Sequence, residues 1–315
     1  MTRTLAVLMD AIAAVNIKKD STFAMLLEAE RRDWRILYMG HGDLAIRDGV
    51  PWARCAVLRV RDDPHDWHAL EAPAWIDLRS VDVVLARKDP PVDAQFLYDT
   101  HVLQLAHDAG VLVVNDPRAL RDANEKLFTL HFPQCIAPTL VARDLSEIRR
   151  FVAEHDKVVL KPLDGMGGRS IFLTHRGDPN LNVILETLTV NGHAFAAAQK
   201  FIPEISAGDK RILMIDGEPV PYALARIPQG SDFRGNLAAG GRGVGIPLSD
   251  RDRWIAAEVG LELKRRGMLF VGLDVIGDWL TEINVTSPTC IRELDAQFGL
   301  NIAGQLFDCI EGRLA

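Results

Sequence analysis

The sequence predicts an α/β protein that opens with a doubly wound, Rossmann-like parallel sheet and continues into further mixed α/β parts. Three observations carry this. Residues 1–122 alternate short apolar runs with helical periodicity. A strand at Lys157–Lys161 runs into the glycine-rich loop Pro162–Gly168. The stretch Met268–Cys290 reads as two apolar strands joined at Gly277-Asp278, with Asp274, Glu282 and Asn284 set into them.

In the first part, Leu5–Met9 is a strand and Ser21–Arg32 a helix with Asp20 or Ser21 as N-cap. Strands follow at Arg35–Met39, Val81–Ala86 and Val111–Asn115. The helix Asp93–Ala109 ends at Gly110. Residues 40–70, with their His, Trp and Pro, read as a less regular insertion. The loops Asn16–Asp20 and Arg87–Pro91 both follow strands, at the end of a parallel sheet where ligands sit. Either alone is an ordinary solvated turn. Together they make a substrate edge that begins at Asn16, with Lys18 and Arg87 available to a carboxylate.

Leu120–Phe128 reads as the start of a helix and of a second part. In the loop after Lys161, Gly165, Gly167 and Gly168 let backbone N–H groups approach phosphate oxygens, and Lys161 adds fixed positive charge. No Gly-Lys-Ser/Thr closes it, so it is not a Walker A loop. Gln199, Lys200, Phe201 and Ile202 end the next strand, where backbone groups can meet an adenine. Asp209-Lys210-Arg211 opens a hairpin whose turn is Asp216-Gly217, a type I′ signal, with Arg211 and Arg226 at its strand ends.

Residues 227–245 hold six glycines in 19 positions, with Arg234 and Arg242. So long a stretch without element signals reads as a lid over a reacting phosphate. Beyond it, Glu282 and Asn284 are two apart on one strand and face the same way. A two-residue turn pairs Asp274 with Thr281. A bulge or a three-residue loop pairs it with Glu282 and brings the three oxygens together. The second register is expected, because it turns costly buried polar groups into a site for a hard cation such as magnesium.

The totals fit this reading. The chain has 315 residues, 48% hydrophobic and 25% charged, enough for two or three packed subdomains. Its net charge of −7 and pI near 5.7 argue against a nucleic-acid binder. The four cysteines are scattered without a Cys-x-x-Cys pair, which suits a reducing compartment, and Cys290 has no neighbouring His to make it a nucleophile. No run approaches a membrane span, and Leu5–Met9 reads as a strand rather than a signal peptide, so the expected location is cytoplasmic. With no Gly-x-Gly-x-x-Gly after the first strand, a nicotinamide oxidoreductase is disfavoured.

Lys126, Lys161 with Asp164–Gly168, Asp274 and Glu282-Ile283-Asn284 resemble the signature of the ATP-grasp carboxylate–amine ligases. The longer stretches Asn16–Met25, Arg87–Pro91, Asn236–Gly243 and Thr281–Glu293 resemble the bacterial glutathione synthetases in particular. The likeness runs through the chain and is weakest over residues 40–80 and at the C-terminus. It implies an ATP-grasp fold in three subdomains, 1–122, 123–200 and 201–315, with ATP between the last two. Lys126, Lys161 and Asp209 would then bind nucleotide, with Gln199–Ile202 beside the adenine. Asp274, Glu282 and Asn284 would hold two magnesium ions, for which manganese can substitute. The implied reaction joins γ-glutamylcysteine to glycine through an acyl phosphate, with Arg211, Arg234 and Arg242 at the transferring phosphoryl group. Arg226, Ser287, Thr289 and Arg292 would meet substrate. The resemblance also implies a homo-oligomer, tetramer or dimer. The competing readings are another ATP-grasp peptide ligase, of D-alanine–D-alanine or glutamate-adding type, and a nucleotide-binding module without ligase activity.

Overall fold

The computed structural model describes residues 2–165, 167–230, 234–235 and 240–314. Its first sheet is built on β1 (Thr4–Met9), whose apolar residues are buried and which pairs in parallel with β2 (Arg35–Met39) on one side. Between them runs α1 (Ser21–Arg31), started by the Asp20 carboxylate accepting the Phe23 N–H at 2.6 Å. Residues 40–70, expected to be irregular, instead form strands. These are β3 (Leu44–Arg47), β4 (Val50–Val60) and β5 (His68–Leu70), followed by β6 (Ala74–Asp77). β4 runs antiparallel to β2, so the sheet is mixed rather than wholly parallel. Ala53 and Cys55 of β4 face one core and Leu58 and Val60 face the other, while Arg54 and Arg59 stay out, a pattern obscured in sequence by Pro51 and the tryptophans.

On the other side of β1 lie β7 (Val83–Arg87) and β8 (Leu112–Val114), both parallel. α2 (Ala94–Asp108), capped by Asp93, connects them. α3 (Pro117–Asp122) starts at Asp116 and ends where a helix was expected to begin. The reason is Asn124, whose side-chain oxygen accepts the N–H groups of Lys126 and Leu127, both at 3.0 Å. That local bond replaces a helical turn and directs Lys126 inward.

The middle of the chain makes an antiparallel sheet in the order β11-β10-β12-β9. Its strands are β9 (Thr139–Ala142), β10 (Lys157–Pro162), β11 (Phe172–His175) and β12 (Ala196–Lys200), covered by α4 (Leu145–His155) and α5 (Leu181–Leu188). Ile148, Val152, Leu160 and Leu185 give it a core of its own.

The last sheet has the order β15-β14-β13-β16-β17. β13 (Asp209–Ile215) and β14 (Glu218–Ile227) turn at Asp216-Gly217, both with positive φ as a type I′ turn demands. β15 is Arg242–Pro247, followed by α6 (Asp250–Arg265), β16 (Phe270–Ile276) and β17 (Trp279–Asn284). α7 (Ile291–Phe298) and α8 (Ile302–Leu314) close the chain. The expected lid at 227–245 is thus corrected at its far end. Residues 242–245 belong to β15, and a Cβ on Gly245 would stand 2.2 Å from the Phe298 ring. Glycine is there for packing, not for mobility. The lid residues 231–233 and 236–239, which include the first half of the Asn236–Gly243 motif, lie outside the described residues, as does Met166.

The first and last sheets share continuous apolar cores. Asn115 pins them together. Its amide donates to Phe270 O at 2.8 Å and Val285 O at 2.7 Å, and accepts from Phe270 N at 2.9 Å. Asn115→Ala leaves these buried backbone groups without partners. It is expected to lower the unfolding free energy by about 3 kcal/mol, read by urea denaturation. A loss below about 1 kcal/mol would mean that water replaces the amide.

Candidate active site

Between the middle and last sheets lies a cleft of about 810 Å³. All ten residues expected to hold nucleotide line it, from Lys126 and Lys161 through the glycine loop and Gln199–Ile202 to Asp209. The sequence reading missed its apolar walls, Val159, Ile171, Ile205 and Ile276, which suit a flat aromatic base. Gly167 and Gly168 carry positive φ, and a Cβ on Gly165 would meet the Pro162 ring at 2.8 Å. These three positions therefore need glycine for the loop to fold over the cleft.

Two lysines bring positive charge into the cleft. Lys161 is 6% exposed, and burial pushes its pKa down. Lys126 is held by the carboxylate of Glu125, by Gly165 O at 2.9 Å and by Glu282 at 3.6 Å. Burial opposes its charge, but the Glu282 and Glu125 carboxylates outweigh burial and raise its pKa. Asp209 is bonded through one oxygen to Arg226 at 2.5 Å, and its other oxygen is buried without a partner. Burial pushes this carboxyl up to about 7, against the pull of Arg226. Arg234 donates to Gly168 O at 2.8 Å and so fastens its segment onto the glycine loop.

A second cleft, also about 810 Å³, is lined by Arg211, Arg226, Asn284, Ser287, Thr289 and Cys290, among others. It meets the first at Gly167 and Glu282, which line both. The strand register creates this junction. Arg211, Asp274 and Glu282 lie in one row across β13, β16 and β17, because Thr281 is the extra residue of a bulge after Asp274. The bulge register is the one expected. Arg211 holds Asp274 at 2.5 and 3.1 Å, and Arg226 reaches it at 2.9 Å. Burial disfavours the Asp274 anion, but the two guanidiniums outweigh it and keep its pKa well below the usual carboxylate range.

The donor set fits a hard cation. Asn284 donates its amide to Gly272 O at 3.3 Å, which leaves its carbonyl oxygen open. Glu282 is only loosely paired with Lys126. Asp274 makes three contacts to arginine, and a carboxylate has about four lone-pair sites. Among the described residues, no group of three His, Cys, Asp or Glu side chains is gathered for a metal, so two carboxylates and an amide are what a cation would meet.

Other expected substrate residues lie elsewhere. The Asn16 side chain accepts the Lys18 N–H within its own loop at 3.2 Å, and neither residue lines a cleft. Arg292 pairs with Asp62 at 2.8 Å, away from both. Arg242 is exposed on β15 opposite Ile227. Arg87 is buried and donates to Thr22 Oγ1 at 3.0 Å and to Pro288 O at 2.9 Å. It braces the loop that carries Ser287 and Thr289, and burial lowers its pKa to about 10. Asp89, from the same edge, accepts Ser287 Oγ at 2.5 Å. Burial raises the Cys290 thiol, which suits the structural role expected for it. Glu125 was missed, although its place beside Lys126 was a visible signal.

Residues 4–121 match the prokaryotic glutathione synthetase N-terminal domain, and residues 125–299 match the prokaryotic glutathione synthetase ATP-grasp domain. The chain belongs to the prokaryotic glutathione synthetase family. The glutathione synthetase of Xanthomonas campestris pv. campestris is 64% identical over 315 residues, all of both chains. That of Pseudomonas aeruginosa is 58% identical over 315 residues, 100% of this chain and 99% of that one. Among solved structures, a D-cycloserine synthetase superposes with a TM-score of 0.68 at 16% identity, covering 99% of this chain and 100% of that one. An ATP-grasp ligase complexed with a minimal precursor gives 0.64 at 18% identity, covering 99% and 100%. At such identities these two speak for the fold alone, which is ATP-grasp. Membership of the family makes the chain an ATP-using C–N ligase. The oxidoreductase and binding-module readings fall away.

Proposed function

We propose that the protein joins the C-terminal carboxylate of γ-glutamylcysteine to the amine of glycine, forming glutathione, ADP and phosphate. The observation that supports this most is the meeting of two clefts at Glu282 and Gly167, one built for a nucleotide and the other lined by Arg211 and Arg226. A carboxylate is a poor electrophile, so ligation needs activation. A carboxylate oxygen attacks the γ-phosphorus, the bond to ADP breaks, and an acyl phosphate forms. The glycine nitrogen then attacks the acyl carbon, phosphate leaves, and a proton is lost from nitrogen.

In this reading the isoleucine walls take the adenine and the unpartnered Asp209 oxygen accepts a ribose hydroxyl. Lys161 and Lys126 hold phosphates, while the glycine loop and Arg234 exclude water from the intermediate. Arg211 and Arg226 face the substrate carboxylate and the charge that develops during transfer. Asp274, Glu282 and Asn284 are assigned to two magnesium ions, with manganese as a substitute. When bound, these would neutralise phosphate charge. Ser287 and Thr289 offer hydroxyls to the dipeptide. The same reading divides the chain at 122/123 and 200/201 and makes the protein a cytoplasmic homo-oligomer. No described helix is long and apolar enough to cross a membrane.

The test is ADP release with ATP and magnesium, with each substrate added singly and together. Release that needs both and is matched by an equal amount of glutathione is expected. Release supported by D-alanine or glutamate instead would transfer the reading to another peptide ligase of the same fold.

A further inference from the structure

β2, β1 and β7 lie side by side in parallel, and His41, Asp10 and Asp89 follow just past their carboxyl ends, along one edge of the sheet. His41 opens a single 3-10 turn, His41–Asp43. Its Nδ1 lies 3.2 Å from Asp99 Oδ2 on α2, and its Nε2 lies 3.7 Å from Asp10 Oδ1. Nε2 is buried and makes no hydrogen bond. Asp10 turns its other oxygen to the Asp89 N–H, which it accepts at 3.1 Å. The Asp89 carboxylate in turn accepts Ser287 Oγ, and both Asp89 and Ser287 line the second cleft. A path of polar contacts thus runs from α2 through His41 to the cleft wall.

The imidazole sits between two carboxylates, and its charge decides how many it can hold. Neutral, it carries one N–H and donates to one of them; as an imidazolium it donates to both. Among the described residues, His41 is the only ion-pair partner of Asp10 and of Asp99. The other charges around the turn are engaged elsewhere. Asp43, on the same turn, pairs with Arg54 of β4 at 2.8 Å, and Lys88, beside Asp89, lies over the Phe96 ring. Tyr38 and Cys55, on β2 and β4, are pushed up by burial and stay neutral. The charge that faces Asp10 is therefore the one on His41.

We infer that His41 is a positioning residue for the dipeptide substrate, whose imidazolium draws in Asp10 and thereby fixes the Asp89 loop and the Ser287 hydroxyl at the second cleft. The inference rests on the ligase reading above and adds to it a control of dipeptide binding by a side chain that lines neither cleft. With its single proton committed to Asp89, Ser287 Oγ offers only lone pairs to the cleft. A hydroxyl and loop already held in place lose less freedom when a ligand arrives, so binding is tighter. When His41 is neutral, Asp10 and Asp99 compete for one N–H and Asp10 is released.

The test compares His41→Gln with wild type across pH. Glutamine keeps an N–H donor but is neutral at every pH, and the ratio of variant to wild-type KM cancels the substrate's own titration. For γ-glutamylcysteine this ratio is expected to be about fivefold near about pH 6 and to fall below about twofold near about pH 9. The ratios for ATP and glycine should stay within about twofold throughout. Asp99→Asn, which removes one of the carboxylates that favour the imidazolium, should raise the dipeptide KM in the same way by a smaller factor. A dipeptide ratio near one at every pH in both variants would overturn the role of His41 and leave the ligase reading intact. So would a raised ratio that does not change with pH, since a purely structural contact has no such dependence. Equal increases in all three KM values would overturn it as well. Should His41→Gln fail to fold, Asp99→Asn decides by the same comparison. Wild-type protein that releases no ADP with both substrates present would refute the substrate pair, and this role of His41 with it.

Discussion

Replacing Glu282 with Gln is expected to lower ATP-dependent ligation by about 10³-fold or more, with the melting temperature close to that of wild type. Glu282 lines both clefts and, in the proposed reaction, sits where the phosphoryl group passes between them. Its side chain is 20% exposed, and among the described residues its one ion pair, to Lys126, is 3.6 Å long. Its carboxylate therefore contributes little to the fold, and Lys126 keeps Glu125 and Gly165 O as anchors. On the proposed metal assignment, an amide of the same shape loses the charge that would balance a cation there. Steady-state ADP release with both substrates, beside a thermal melt of the same preparation, reads the two effects separately. Turnover within about tenfold of wild type at ordinary magnesium concentrations would remove Glu282 from the metal assignment.

The strands that build this junction were legible because their pattern is local. Phe270–Ile276 and Trp279–Asn284 are short apolar runs around one turn, and the choice between pairing Asp274 with Thr281 or with Glu282 came down to one bulge. Burial decided it, because the register found leaves Thr281 as the odd residue, its hydroxyl bonded to Asp274 O at 3.1 Å. The nucleotide cleft was legible for the same reason. Lys161 and the glycines sit at one strand end, and glycine in such a loop has few other physical reasons to be there.

The substrate edge was not legible, because an arginine in sequence does not show what it faces. Arg87 satisfies carbonyls of a loop about two hundred residues away, and Arg292 meets Asp62 across a similar distance. Such pairings are set by tertiary packing and leave no periodic trace. The strands within 40–70 failed for a different reason. β4 buries the small Ala53 and Cys55 in one core and Leu58 and Val60 in the other, with Trp52 and Arg54 between, so hydropathy does not alternate cleanly along it. At α3 a single side chain, Asn124, overrode helical propensity. In the lid segment the density of glycine suggested mobility, where its far end reflects close packing under Phe298.

Lys161→Met is expected to raise the KM for ATP by about 100-fold and, at the same time, to leave the protein at least as thermally stable as wild type. The two effects share one cause. Lys161 lies on β10 beneath the glycine loop, 6% exposed, and none of its described contacts is an ion pair. A buried ammonium without an anion is costly until phosphate arrives. Burial lowers its pKa from the ordinary value near 10.5, so the unfolded chain holds this proton more tightly than the folded one. Between the lowered value and 10.5 the unfolded state carries more protons, and stability rises with pH. Below that window the full penalty applies. Methionine removes it, so the stability gain of Lys161→Met over wild type should be largest near neutral pH and shrink as the pH climbs through the window. Thermal melts of both proteins across that range, without nucleotide, measure the difference directly. Saturating ATP should reverse the order, because only wild type gains the lysine–phosphate contact. A variant that melts well below wild type at neutral pH would mean that Lys161 is already paired in the free protein. An unchanged KM would mean that the glycine loop binds phosphate through its backbone alone.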